Sequence, residues 1–354
     1  MSQRFKGVKW PLGQHPRPQE LHRLYCSGFV GAHVNAETTA EVLQDPGVRV
    51  DRFSDACPHL RGLHKQRDVM PLFLPMQQVD RGFYASEPQE TGNCVGRGAQ
   101  GAKGTTNAYE IVVNGEAEQY ERPAWETTYA LRGHSGAGMD PALAAKVDAE
   151  LGFLWRREYP FVDLRRQNTA WSVRGSRSIT AEVRREMAKH KVGRWIFPET
   201  GDEALDLLAA GYACHSGQNC GFSGRPNSKG IHDRSGGWNH DMMTAGYDLS
   251  KSVWPEPVVF VPNSWGAWNT QPKCWPRDIW GPPIGGLIIC ALDVWVRWFV
   301  GSRSIFFYAD VEGVPAKRVP DWGWLQALGG GTEARASTES DNYEDLSTGD
   351  TPGG

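Results

Sequence analysis

Three residue types spread along this chain could together attack a carbonyl: a thiol, an imidazole and a carboxamide. The carboxamide is Asn263, in FVPNSWG at 260–266, where an apolar strand ends at Pro262 and a loop begins. Asn-Ser is ordinary turn chemistry, and Trp265 is an ordinary core aromatic. However, an amide oxygen that orients an imidazole needs a neighbouring indole to keep water off the hydrogen bond. An imidazole lies 23 residues upstream, at His240 in GGWNHDMMTAGYD (236–248). Any one of ten histidines is usually structural. A His followed by an Asn on adjacent strands is nevertheless the order that a nucleophile, base and orienting group require. The nucleophile then belongs well upstream at a helix start, where unpaired N–H groups and the positive dipole end depress a thiol pKa. Cys94, in PQETGNCVGRGAQGAKGTTNAYEI (88–111), follows a Gly-Asn turn and opens a run of small residues. Cys26 and Cys57 lack that context, and Cys214, Cys220, Cys274 and Cys290 come too late in the order.

Asn263-Ser264-Trp265-Gly266 resembles the signature of papain-like cysteine peptidases, and the segment around His240 resembles their histidine strand. His240 lies 146 residues after Cys94, within the roughly 130–150 typical of that family. TTYALRGHSGAGMDPALAAKVDAELGFLWRREYP and EALDLLAAGYACHSGQNCGF resemble the segments between nucleophile and base, so the likeness covers about residues 85–315. It implies Cys94 as nucleophile, His240 as base, Asn263 as orienting amide and Trp265 as its shield. The family's oxyanion glutamine precedes the nucleophile by six residues. Here Pro88 holds that place, so Gln89 becomes the side-chain donor, beside the Cys94 backbone N–H. Asn93 and Val95 replace the family's second cysteine and its aromatic residue.

The resemblance further implies an α+β, papain-like fold. A helical left half would carry Cys94, and a strand-rich, antiparallel or barrel-like right half would carry His240 and Asn263, with a cleft between. The implied function is thiol-dependent hydrolysis of peptide (amide) bonds, with a peptide or protein substrate and neither metal nor organic cofactor. A catalytically inactive papain-like module, for instance a virion component, and a peptidoglycan-cleaving amidase or endopeptidase stay open. Cys-Val-Gly after the turn and DVEGVPA near the end resemble bacteriophage-encoded members, which makes virion proteins candidate partners.

The elements that must hold these residues are partly marked. Asp140-Pro141 offers an N-cap with proline at the first helical position, followed by ALAAKVDAEL and a stop at Gly152. Thr200-Gly201-Asp202-Glu203 is a capping box opening ALDLLAA, closed by Gly211. A third helix is expected from Thr180 to about Lys191. Four glycines between Val95 and Thr105 weaken the Cys94 helix, by about 1 kcal/mol each relative to alanine. After Ala210 the pattern turns to short strands: YACHS, DMMTAGYD, VVFVPNSWG and SIFFYADVEG.

Residues 1–85 read as an extension or a blocking pro-segment, 86–328 as the peptidase domain, and 329–354 as a disordered acidic tail. The 354 residues carry a net charge of −3, which gives no electrostatic case for nucleic acid or an anionic membrane. The greasy stretch Ile284–Val300 is too short and too charged to span a bilayer, and MSQRFKGVKWPLGQ leads into no apolar signal region. The expected setting is therefore the host cytoplasm or a virion. Seven scattered cysteines form no disulfide framework. Cys214, His215, Cys220, His232 and His240 lack the spacing of a structural zinc site.

Overall fold

The computed structural model describes residues 20, 31–34, 39–40, 50–85, 87–116 and 119–309. The tail expected at 329–354 lies outside them, as does most of the region before Val50.

Cys94–Tyr109 is one buried 16-residue helix despite its glycines. Gly98, Gly101 and Gly104 recur at a spacing of three and so share a face. A Cβ on Gly98 would lie 1.8 Å from Asp241 Oδ1, on Gly101 2.4 Å from Met243 Sδ, and on Gly104 2.9 Å from the Phe83 ring. Gly98 and Gly101 trade helix propensity for a very close approach to the strand behind them.

That strand belongs to a five-stranded sheet. Its order is β1 (Val50–Arg52), β5 (Arg194–Phe197), β11 (Ile305–Ala309), β6 (Cys214–Asn219) and β7 (Asn239–Thr244). Only β1–β5 is parallel; the other pairs are antiparallel. A four-stranded antiparallel sheet runs β10 (Leu287–Ala291), β9 (Val258–Pro262), β8 (Tyr247–Asp248), β2 (Val69–Met70). Glu158–Tyr159 and Val162–Asp163 form a small hairpin, β3–β4. The α+β expectation holds. The strand-rich part is two sheets, with no closed barrel among the described residues. The chain passes from one sheet to the other at Gly246, whose φ is +115° and whose Cβ would strike Met70 O. β1, β2, β5 and β10 carry no sequence signal of their own. β10 lies inside the greasy stretch, and β1 and β2 are very short.

The expected helices form. Asp140 Oδ1 accepts from the Ala142 and Leu143 N–H groups and caps Pro141–Glu150, and Gly152 has φ +84°. Thr180 caps Ala181–Met187, shorter than expected. Thr200 Oγ1 accepts from Glu203 N–H, but Glu203 reaches back to the Glu199 N–H rather than to Thr200. The capping box is therefore shifted by one residue on its return arm. No helix of the described residues is long and apolar enough to cross a membrane.

Two apolar clusters fill the interior, and the larger one includes residues of the glycine helix. Val95, Ala99 and Ala102 pack with Trp125, Tyr129, Trp195 and Phe306, and a satellite cluster holds Leu154, Tyr159, Leu164, Trp171 and Met187. Under the second sheet, Phe73, Trp254, Phe260, Trp275 and Trp280 interlock mostly edge to face.

An exposed helical Gly→Ala change stabilises by about 1 kcal/mol. Gly98→Ala is expected to do the reverse, costing about 1–3 kcal/mol through overpacking. Gly101→Ala should cost less, because it meets the flexible end of a methionine. Urea unfolding of both variants checks the sign and the order.

Candidate active site

Cys94 is the first residue of the glycine helix, with Asn93 at the N-cap position, and it has no exposed surface. Along the helix, Gly101 faces Met243 and Gly98 faces Asp241. Both elements run in the same sense there. One further turn, about 6 Å, carries Cys94 toward the level of Asn239 and His240, where β7 begins.

Asp241 is the residue of β7 that meets Gly98. Its neighbour His240 has Nε2 2.8 Å from Asn263 Oδ1, and both residues are buried. An amide oxygen only accepts, so Nε2 carries the hydrogen and Nδ1 is the basic nitrogen. Trp265 stacks on the imidazole, with centroids 5.0 Å apart and planes at 27°. Trp238 packs against Trp265 and Trp268, extending the dry wall. Burial pushes the His240 pKa down to about 4 against the opposing pull of the Asn263 hydrogen bond. The ring is therefore a neutral base at pH 7.

Gln89 is wholly buried and ties the Asn263 loop to the Cys94 turn. Its Oε1 accepts from Trp265 Nε1 (3.1 Å) and Ser264 Oγ (2.7 Å), and its backbone N–H donates to Ser264 O. Its Nε2 donates to Thr91 O at 2.9 Å. With the carbonyl end fixed in this way, the amide nitrogen is directed into the turn that leads to Cys94. The structure thus brings Gln89, Asn263, His240 and Trp265 into one contiguous unit. It places Cys94 at the end of the adjoining helix.

A second element lies here that no sequence pattern marks. Residues 31–34 lie across the start of β7: Gly31 and Ala32 N–H both donate to Asn239 O. His33 N–H donates to Met139 O, Met139 N–H donates to Gly31 O, and Gly138 N–H donates to Gly92 O in the turn before Cys94. Ala32 is buried in the same cluster as Cys94 and Met139, and the His33 ring fills the space that a Cβ on Gly138 would need.

The residues of the discarded zinc pattern have other partners. His215 Nδ1 pairs with Asp241 Oδ2 at 3.0 Å, and its Nε2 lies 3.2 Å from the Tyr308 hydroxyl. His232 Nδ1 accepts from Ile289 N–H, and its Nε2 donates to Thr270 O.

No family model matches the chain, and no curated protein matches it. Among solved structures it is similar to xylellain, a cysteine protease from Xylella fastidiosa. That likeness has 14% identity, covers 64% of this chain and 82% of that one, and has a TM-score of 0.42. It is also similar to a procathepsin B from Trypanosoma congolense (12% identity, 71% and 78% covered, TM-score 0.44). A third likeness is to the proform of a ragweed pollen cysteine protease (14% identity, 80% and 78% covered, TM-score 0.44).

His240 and His232 are both held by burial at pKa values of about 4, below the ordinary 6.5. Between those values the unfolded chain binds protons that the folded chain does not. The stability these two residues contribute is full above pH 6.5 and is lost as pH falls through 4. The melting temperature is expected to drop across that window, and His232→Gln should flatten the drop.

Proposed function

We propose that the protein is a thiol-dependent hydrolase of peptide bonds, a papain-like cysteine peptidase, with Cys94 as nucleophile, His240 as base and Asn263 as orienting amide. The observation that carries this reading is the buried His240–Asn263 pair under Trp265, bonded through Gln89 to the turn that opens the Cys94 helix. In the proposed reaction, the Cys94 thiol gives its proton to His240 Nδ1 and its sulfur attacks the amide carbon. The carbonyl oxygen gains the electron pair and is held by Gln89 Nε2–H and the Cys94 N–H. The intermediate collapses, and the departing amine takes the proton from His240. Water, deprotonated by His240, then attacks the thioester, releasing the acid and restoring the thiol. The notion of a bacteriophage-type member acting in the host cytoplasm or a virion belongs to the same proposal and rests on the sequence resemblance alone.

We also propose that the extension expected at residues 1–85 acts as a blocking pro-segment. The support for this is the pairing of residues 31–34 with Asn239 and Met139, beside a Cys94 that has no exposed surface.

On broad peptide libraries, Cys94→Ser and His240→Ala are expected to fall to background. Asn263→Ala should retain activity lowered by about 10–10³-fold, and Trp265→Ala should lose less. Full activity in His240→Ala would sink the catalytic reading. A parent inert on both peptides and peptidoglycan would leave the structural module as the better account.

Thiol labelling tests the block. Burial pushes Cys57 up to about 12 and Cys220 up to about 11 and raises Cys290 as well, so these three should react slowly with iodoacetamide. Ala32→Arg, which cannot keep the buried seat of Ala32, should speed Cys94 labelling at least several-fold relative to exposed Cys274. An unchanged ratio would mean that residues 31–34 do not guard the thiol.

A further inference from the structure

Gln89 sits in a loop whose other bonds have no counterpart in the reaction scheme. Glu87, two residues earlier, meets three arginines. Its Oε2 accepts from Arg97 Nη1 at 2.7 Å and Arg156 Nη2 at 2.9 Å, and its Oε1 accepts from Arg122 Nη1 at 3.1 Å. Arg97 also donates to the Glu87 backbone carbonyl. Two further carboxylates complete the cluster: Asp80 on Arg122 and Glu126 on Arg156. Three cations and three anions therefore balance in a space where the arginine side chains are 6–17% exposed and the carboxylates 0–17%. Arg97 belongs to the first turn of the Cys94 helix, three residues after the thiol.

The pinning continues through the loop. Gln167 Nε2 donates to Pro88 O at 3.1 Å, Gln89 is held by Ser264 and Trp265, Thr169 Oγ1 donates to the Glu90 carboxylate, and Gly138 N–H donates to Gly92 O. Through Arg97 the loop that carries Gln89 is bonded directly to the first turn of the helix that carries Cys94.

We infer that Glu87 is a positioning residue: by bonding Arg97 through both its carboxylate and its carbonyl, it locks the Gln89 loop in register with the first turn of the Cys94 helix. The inference rests on the proposed peptidase reading. It concerns the geometry of the oxyanion donors, not the reactivity of the thiol.

The test separates those two quantities. Hydrolysis, and binding of a peptide aldehyde whose oxygen becomes the oxyanion when sulfur adds to its carbon, both need the donors in place. Alkylation of Cys94 by iodoacetamide does not. Glu87→Gln should lower kcat by about 10²-fold, the scale of a 1 Å misplacement. KM should stay within about twofold, aldehyde affinity should fall in step with kcat, and Cys94 alkylation should be unchanged. Because Glu87→Gln leaves three arginines facing two carboxylates, it risks misfolding. Thr169→Val, which removes one neutral bond on the far side of the loop, should shift the same quantities in the same direction by a smaller factor. If kcat and alkylation fall together in either variant, the role is merely structural and the inference is overturned. Unaltered kcat and aldehyde affinity in both variants, with an active parent, also overturn it. A parent that neither hydrolyses peptides nor binds the aldehyde overturns the peptidase reading itself, and the inference with it.

Discussion

The distance between the Cys94 helix and β7 is the constraint on which the rest depends. Glycines at 98 and 101 let backbone meet strand where any side chain would collide with Asp241 or Met243. Only at that separation does the start of the helix run toward the start of β7. A helix of ordinary composition would stand off by the width of a methyl group or more, and its first turn would drift from the imidazole it is proposed to serve. Helix propensity is lost over sixteen residues, and tertiary packing makes up the deficit, as it does for most helices in folded proteins.

The close approach creates a second requirement. Asp241 occupies the space left by the missing Cβ of Gly98 and is buried there, which pushes its carboxyl pKa upward against the pull of His215. A polar chain takes up this group: Asp241 to His215, His215 to the Tyr308 hydroxyl, Tyr308 to Asp148, and Asp148 to Lys103 at 2.7 Å on the same glycine helix. The chain closes on the element where it began. Removing one member of a buried charge pair typically costs 3–5 kcal/mol, because the other charge is left stranded. The interior behind the site is thus specified by hydrogen bonding as much as by shape.

The parts of the candidate site carried by short local patterns could be picked out from the sequence as candidates. Asn263, Trp265 and His240 stand in segments whose order and spacing announce them, and Asp140-Pro141 and Thr200 mark their helices through capping chemistry. What stayed hidden depends on partners far apart in the chain. Glu87 meets Arg156 across 69 positions, and no spacing rule links them. The glycines after Cys94 read as helix-weakening because their compensation, a strand some 140 residues later, is not local. Strands such as Val50–Arg52 and Val69–Met70 are too short to show a period of two, and their registers come only from the neighbours they join. The return arm of the capping box, taken by Glu199 rather than Thr200, shows that even a correct motif leaves one hydrogen bond to context.

Each of those two short strands is the edge of one of the two larger sheets. β1 borders β5, and β2 borders β8. A proteolytic cut that removed everything through residue 85 would therefore strip one strand from each sheet. The rows of N–H and C=O groups on Arg194–Phe197 and Tyr247–Asp248 would be left open to any passing chain. Maturation by such a cut would turn a closed surface into two adhesive edges. Any trimming that leaves a well-behaved product must stop short of Val50 or keep the severed strands docked.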